Sequence, residues 1–98
     1  MDRFKREAAA RIIAGIVKAQ HEAAKRGVLV IWTIYDRPRD HPEGFIARRF
    51  DVRAEGPKAT DLTIAGELED LREGFWKAGL MKLSRQDGDE PQIVESWV

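Results

Sequence analysis

Val28 to Tyr35 reads VLVIWTIY, and no other stretch of the chain restricts its fold as strongly. A short run of β-branched, aromatic and aliphatic residues makes a strand, and one that is apolar on both faces belongs at the centre of a sheet with cover on either side. The run is far shorter than the roughly 18 to 20 apolar residues a membrane-spanning helix needs. The fold of the 98-residue chain then depends on what flanks and covers this strand.

Upstream, Asp2 to Arg26 predicts a long amphipathic helix. Phe4, Ala8, Ile12, Ile16, Ala19 and Ala23 recur at helical spacing, and Ile13 and Val17 widen the stripe. Lys25 and Arg26 suit the negative end of the helix dipole, and Gly27 can close the last turn. Residues 1–27 read as an amphipathic helical extension, and residues 28–98 as a single α+β domain. The N-terminal segment has neither the unbroken apolar core nor the cleavage site of a secretory signal, so a cytoplasmic protein is expected.

Downstream, Asp36 to Gly44 is a loop, because Pro38 and Pro42 remove donors and restrict Arg37 and His41 before them. Phe45 to Arg53 alternates as a strand, and the face bearing Ile46, Phe50 and Val52 together with Arg48 is expected to look inward. After a turn at Glu55-Gly56-Pro57, Thr63 is the expected N-cap of a helix from about Ile64 to Ala78. Leu68, Leu71, Phe75 and Ala78 are its buried stripe, and Gly79 and Leu80 its end. Met81 to Ser84 is a short extended segment, and Gln92 to Val98 a final strand. These elements predict an α+β fold: a small antiparallel or mixed sheet of three to four strands in the order 2-1-3, one packed helix and the N-terminal amphipathic helix. The second face of the central strand then needs cover from that N-terminal helix or from another copy of the protein.

Several chemistries find no support in the sequence. Without cysteine there is no disulfide, thiol nucleophile or cysteine zinc site. No glycine loop of the phosphate-binding kind occurs, and Ser84 and Ser96, the only serines, lie in no nucleophile motif. His41 sits among Asp36, Asp40 and Glu43, but ordinary turn chemistry accounts for that loop, so neither a metal site nor a cofactor is expected. Glu67, Glu69, Asp70 and Glu73 read as a solvated helix face that can also serve as an acidic docking surface.

Charge is balanced overall, 17 basic against 17 acidic, yet polarised along the chain. Met1 to Arg26 carries seven basic and three acidic residues, and Ala54 to Val98 five and ten. Mutual attraction of the two ends is the plainest use of such a gradient. Arg37, Arg39, Arg48 and Arg49 converge on the first two strands and their loop, interleaved with Trp32, Tyr35, Phe45 and Phe50, an arrangement suited to gripping nucleic acid. Asp36, Asp40, Glu43 and Asp51 nearly cancel that charge.

The segment YDRPRDHPEGFIARRF, from Tyr35 to Phe50, together with Leu68 to Leu71 and the closing IVESWV, resembles a family of short uncharacterised proteins from bacteria and their phages. The resemblance implies the limits of the domain, from about Ile31 to Val98, and implies no activity. The expectation is therefore a non-enzymatic protein-interaction module, self-associating and carried by a phage or mobile element. Its candidate partner-binding residues are Arg37, Pro38, Arg39, Asp40, His41, Pro42 and Glu43. The alternative is a nucleic-acid-binding domain using Arg37, Arg39, Arg48 and Arg49.

Overall fold

The computed structural model describes residues 3–39, 44–86 and 88–98, with side chains from Arg6 onward. The chain runs α1 (Arg3–Lys25), β1 (Leu29–Asp36), β2 (Phe45–Arg53), β3 (Gly56–Gly66), α2 (Leu68–Lys77), β4 (Lys82–Ser84) and β5 (Ile93–Trp97). It is an α+β fold with one antiparallel sheet in the order β3-β2-β1-β5-β4. Five strands replace the expected three or four, and the expected order 2-1-3 is extended at both edges. No helix among the described residues is long and apolar enough to cross a membrane.

The largest departure from the sequence reading is β3. Residues 56–66 do not lead into a helix capped by Thr63; they return along β2, pairing Arg53 with Gly56 and Phe45 with Gly66 at the two ends. The two-residue turn Ala54-Glu55 favours this return, with Gly56 at φ 113°, a value side-chain-bearing residues rarely adopt. The register shifts between Arg48 and Phe50, and Thr60 repairs the broken ladder there by donating its hydroxyl to the Arg49 carbonyl at 2.9 Å. Helix α2 therefore starts only at Leu68, after Glu67 in extended conformation. It ends as expected: Gly79 takes φ 86°, and Leu80 donates its N–H to the Phe75 carbonyl at 3.0 Å while its side chain is buried.

Both helices lie on the same face of the sheet. Ile12, Ile16 and Ala19 of α1 and Leu71 and Phe75 of α2 share one core with Trp32 and Ile34 of β1, Ala47 of β2 and Trp97 of β5. Of the expected stripe of α1, Ile12, Ile16, Ala19 and Ala23 are buried, so α1 is part of the core, whereas Ala8 and the flanking Val17 are exposed and the side chain of Phe4 lies outside the described residues. Trp32, Phe75 and Trp97 form an aromatic row with ring centres 5.5 and 5.7 Å apart. The indole N–H groups of both tryptophans are satisfied, Trp32 donating to Gln20 of α1 and Trp97 to Glu95, each at 2.9 Å.

The inward face of β2 is the opposite of the one expected from its apolar count. Phe45 and Ala47 pack into the core and Arg49 and Asp51 are buried under the helices, so Arg48, Phe50 and Val52 look the other way with Ile46. Shape decides this. Ala47 is small enough to let two helices close over the sheet, and the helices approach each other closely at Gly74, where a Cβ would stand 2.9 Å from Ile12 Cγ2 and 3.0 Å from Ile16 Cδ1.

Two charged contacts tie the helices down. Glu22 of α1 accepts from Arg49 at 2.9 Å, and Arg49 donates to Asp51 at 2.9 Å. Arg72 of α2 forks onto the buried Glu95, with Nε and Nη2 at 3.0 and 2.7 Å from its two oxygens. Burial pushes the Glu95 carboxyl up, but Arg72 and the Trp97 indole more than reverse this and hold it below its ordinary value.

Gly74→Val forgoes the usual gain of replacing a helix glycine and drives a branched side chain into Ile12 and Ile16. It is expected to destabilise by about 1–3 kcal/mol in denaturant unfolding, where an exposed glycine would gain stability. Glu95 predicts a pH dependence. A carboxyl depressed in the folded state contributes stability that is complete above its unfolded value and is lost as pH falls through the lower folded one. The urea midpoint of the parent chain should decline as pH drops through and below the ordinary carboxylate value of 4.5, and Glu95→Gln should be less stable at neutral pH and decline less steeply.

Candidate functional site

With both helices on one side, the other face of the sheet is closed toward its Tyr35 end, where Thr33 and Ile46 are buried and Pro38, Arg39, Glu90 and Gln92 stand around Ile46, and open toward its Leu29 end. Cross-strand partners share a face, so the register assigns its members. Leu29 pairs with Val52 and Val52 with Pro57; Ile31 pairs with Phe50 and Phe50 with Ala59. Trp97 and Lys82 are partners on the helix side, so their neighbours Val98 and Met81 project to the open side, linked by reciprocal backbone bonds of 2.9 and 2.7 Å. These side chains make two adjacent apolar rows. Leu29 is 74% and Met81 71% exposed, and Val98 and Leu83 are also exposed, so four of the seven exposed large hydrophobic residues fall on this one face. At the start of β1 a hollow of about 710 Å³ runs around the end of the sheet, lined by Leu29, Val52 and Val98 and by Gln20, Ala23 and Ala24 of α1.

A polar row follows. Thr33 and Ser96 pair across β1 and β5 with their hydroxyl oxygens 3.0 Å apart, satisfying each other, and Arg48 and Thr63 complete the row on β2 and β3. Beyond it lie Ile46 and Tyr35. No buried side-chain nitrogen or oxygen among the described residues lacks a partner.

The four arginines of the nucleic-acid reading do not form one surface. Arg49 is 3% exposed, on the helix side, and committed to Glu22 and Asp51. Burial alone pulls its pKa down, but those two carboxylates raise it. Arg48 is on the open face, with Nη1 3.5 Å from the Thr60 carbonyl. Arg37 and Arg39 stand exposed at the loop entrance. Arg37 takes a left-handed φ of 46°, donates its N–H to the Gly44 carbonyl at 2.8 Å and its Nε to Asp36 at 3.1 Å. The bond from Arg37 to Gly44 brings the two ends of the loop together. Of the candidate partner-binding residues, Asp40, His41, Pro42 and Glu43 lie outside the described residues.

Arg39 and Arg48 do meet, in a hollow of about 360 Å³ shared with Tyr35, Pro38, Glu90 and Gln92. Its field is mixed. The Tyr35 hydroxyl is pushed up first by burial and then by Glu90 and Asp89, against the opposing Arg48. A phosphate entering there meets carboxylates as well as guanidinium groups.

The sequence reading missed the commitment of Arg49 to the fold. Its signal was the i, i+2 spacing of Arg49 and Asp51, which puts opposite charges side by side on one strand face. Trp76, 73% exposed on α2 beside Arg72 and Lys82, is a separate aromatic surface on the helix side. No family model, no curated protein and no solved structure matches the chain.

Arg49→Ala leaves Asp51 buried without its cation. It is expected to cost about 3 kcal/mol in chemical denaturation, the range for breaking a buried pair from one side, whereas Arg39→Ala at the exposed loop entrance should stay within about 0.5 kcal/mol.

Proposed function

We propose that the chain is a non-enzymatic protein-interaction module whose working surface is the uncovered face of the sheet. The observation that carries this reading is the gathering of Leu29, Ile31, Phe50, Val52, Met81 and Val98 on the side opposite both helices. Contiguous exposed apolar surface of this kind marks contact with another macromolecule. The close groupings of charged side chains support the non-enzymatic part, because Glu22, Arg49 and Asp51, and Arg72 and Glu95, serve to hold helices on the sheet. The loop entrance at Arg37, Pro38 and Arg39 lies at the opposite end of β1 from Leu29 and adds a polar flank to the same molecule.

The second reading is nucleic-acid binding through Arg37, Arg39 and Arg48. The shared hollow of Arg39 and Arg48 beside Tyr35 favours it, while the diversion of Arg49 and the presence of Glu90 weaken it.

Affinity capture of the tagged chain from a lysate of its source, with and without nuclease, separates the two. The module reading predicts a protein companion that survives nuclease, is lost on Leu29→Glu and is retained on Arg39→Ala with Arg48→Ala. Recovery that collapses with nuclease and ignores Leu29→Glu would replace it with the second reading, since phosphate contacts follow the arginines and the salt concentration.

A further inference from the structure

We propose that β4 accepts a sixth, antiparallel strand: an extended segment of another protein that carries a carboxylate side chain between two apolar ones. The site is the outer edge of the sheet with the hollow beside it on the helix side. It adjoins the uncovered face only at Met81 and Leu83, and it stands or falls separately from the reading of that face. Three observations carry it.

The first is the backbone. β4 ends the sheet, with β5 as its one neighbour. Met81 and Val98 exchange both of their backbone bonds, so by the alternation of an antiparallel ladder Lys82 directs its N–H and C=O away from β5. An added strand finds there a donor and an acceptor to exchange with one residue of its own. Ser84 presents its N–H in the same direction, while its carbonyl accepts from Gln86 Nε2 at 3.2 Å.

The second is apolar surface on both sides of this edge. Trp76 on the helix side is 73% exposed, and Met81 and Leu83 on the open side are 71% and 47% exposed. A strand laid beside Lys82 turns one side chain toward Trp76 and the two flanking ones toward Met81 and Leu83, so it covers all three.

The third is charge. The hollow, of about 420 Å³, is lined by Arg72, Trp76, Lys82 and Trp97 and by no carboxylate. Glu95 holds Arg72 through Nε and Nη2, fixing the guanidinium while Nη1 has no partner among the described residues, and Glu95 itself is buried. Glu69, the other carboxylate that acts on Arg72, lines a different hollow. A carboxylate opposite Lys82 therefore meets two cations beside an exposed indole. A short edge strand bearing a lysine deters indiscriminate pairing; the same lysine rejects a basic strand and admits an acidic one.

Titration of the isotope-labelled full chain with a capped Thr-Val-Glu-Val-Thr peptide, followed by NMR, tests this. The amides of Lys82 and Ser84 and the indole of Trp76 should shift with a dissociation constant on the order of a tenth of a millimolar, and Leu29 and Ile31 should not move. Lysine in place of the peptide's glutamate should weaken binding by about tenfold or more. Methylating the glutamate nitrogen, which faces Lys82, should abolish binding, whereas methylating a valine nitrogen, which faces away, should not. Trp76→Ala should weaken binding by about tenfold, and Lys82→Glu should reverse the preference toward the lysine peptide. Both positions are exposed, circular dichroism verifies that the variants are folded, and the methylated peptides require no change to the chain.

No shift at millimolar peptide overturns the inference, as does equal binding of the glutamate and lysine peptides or indifference to which nitrogen is methylated. Shifts at Leu29 and Ile31 in place of Lys82 also overturn it, while favouring the uncovered face. Shifts of the Lys82 amide that follow protein concentration without peptide would make the occupant the edge of a second copy and overturn the assignment to an acidic segment.

Discussion

The contact on which the architecture turns is the buried Arg49–Asp51 pair with Glu22 laid over it. A charged pair on a strand face is compatible with solvent or with a partner that completes its bonding, and costly under plain apolar cover. Helix α1 supplies that completion, because Glu22 follows Ala19 and precedes Ala23 on a surface whose neighbouring turns are already buried against the sheet. At the other side Glu95 plays the same part for α2, receiving both Arg72 and the Trp97 indole. Buried pairs of this kind add little net stability over apolar replacements, but they penalise every arrangement that separates the partners. Here they fix both helices to one face, with the aromatic row Trp32–Phe75–Trp97 beneath them.

The cost of that choice falls on the opposite face. β1 is apolar on both sides, so whichever face the helices take, the other stays apolar; here it retains Leu29, Ile31 and Tyr35. Chains of about this length bury little more than three-fifths of the surface their unfolded state exposes, which leaves no material for a third layer. One five-stranded sheet with a single helical layer is half of a three-layer or sandwich arrangement. The apolar rows are therefore a consequence of the packing on the far side as much as a feature in their own right.

What the sequence made legible was local. The spacing of Ile12, Ile16, Ala19 and Ala23 named the buried stripe of α1, and Gly27 and Gly79 marked helix ends that depend only on neighbouring carbonyls. The central strand followed from its own composition. Two features depended on distant residues and were hidden. β3 contains Lys58, Thr60, Asp61 and Thr63, with no strong alternation, and it is a strand because β2 offers it a ladder. The inward face of β2 could not be counted from three apolar residues against two, because the room beneath Ile12 and Ile16 and the reach of Glu22 favoured Ala47 and Arg49. The candidate face was legible in half: the strand announced that it needed two covers, while the placement of both helices on one of them is a tertiary fact.

The polarisation of charge along the chain can be followed into the placement of its two helices. The first turn of α1 has no acidic residue to offset the positive end of its dipole. Arg11, further along the same helix, lines a cleft with Glu67 and Asp70 at the start of α2, so the basic beginning of the chain lies beside its acidic later half. α1 and α2 meet by close approach at Gly74, and each is bonded separately to the sheet, at Glu22 and at Arg72. On the far face of the sheet Arg48 is the one cation on β1, β2 and β5. A nearly uncharged sheet face on a chain of balanced charge has little electrostatic reason to prefer an acidic or a basic partner, so on the proposed reading its selectivity rests on shape, the pleated apolar rows around Leu29 and Ile31.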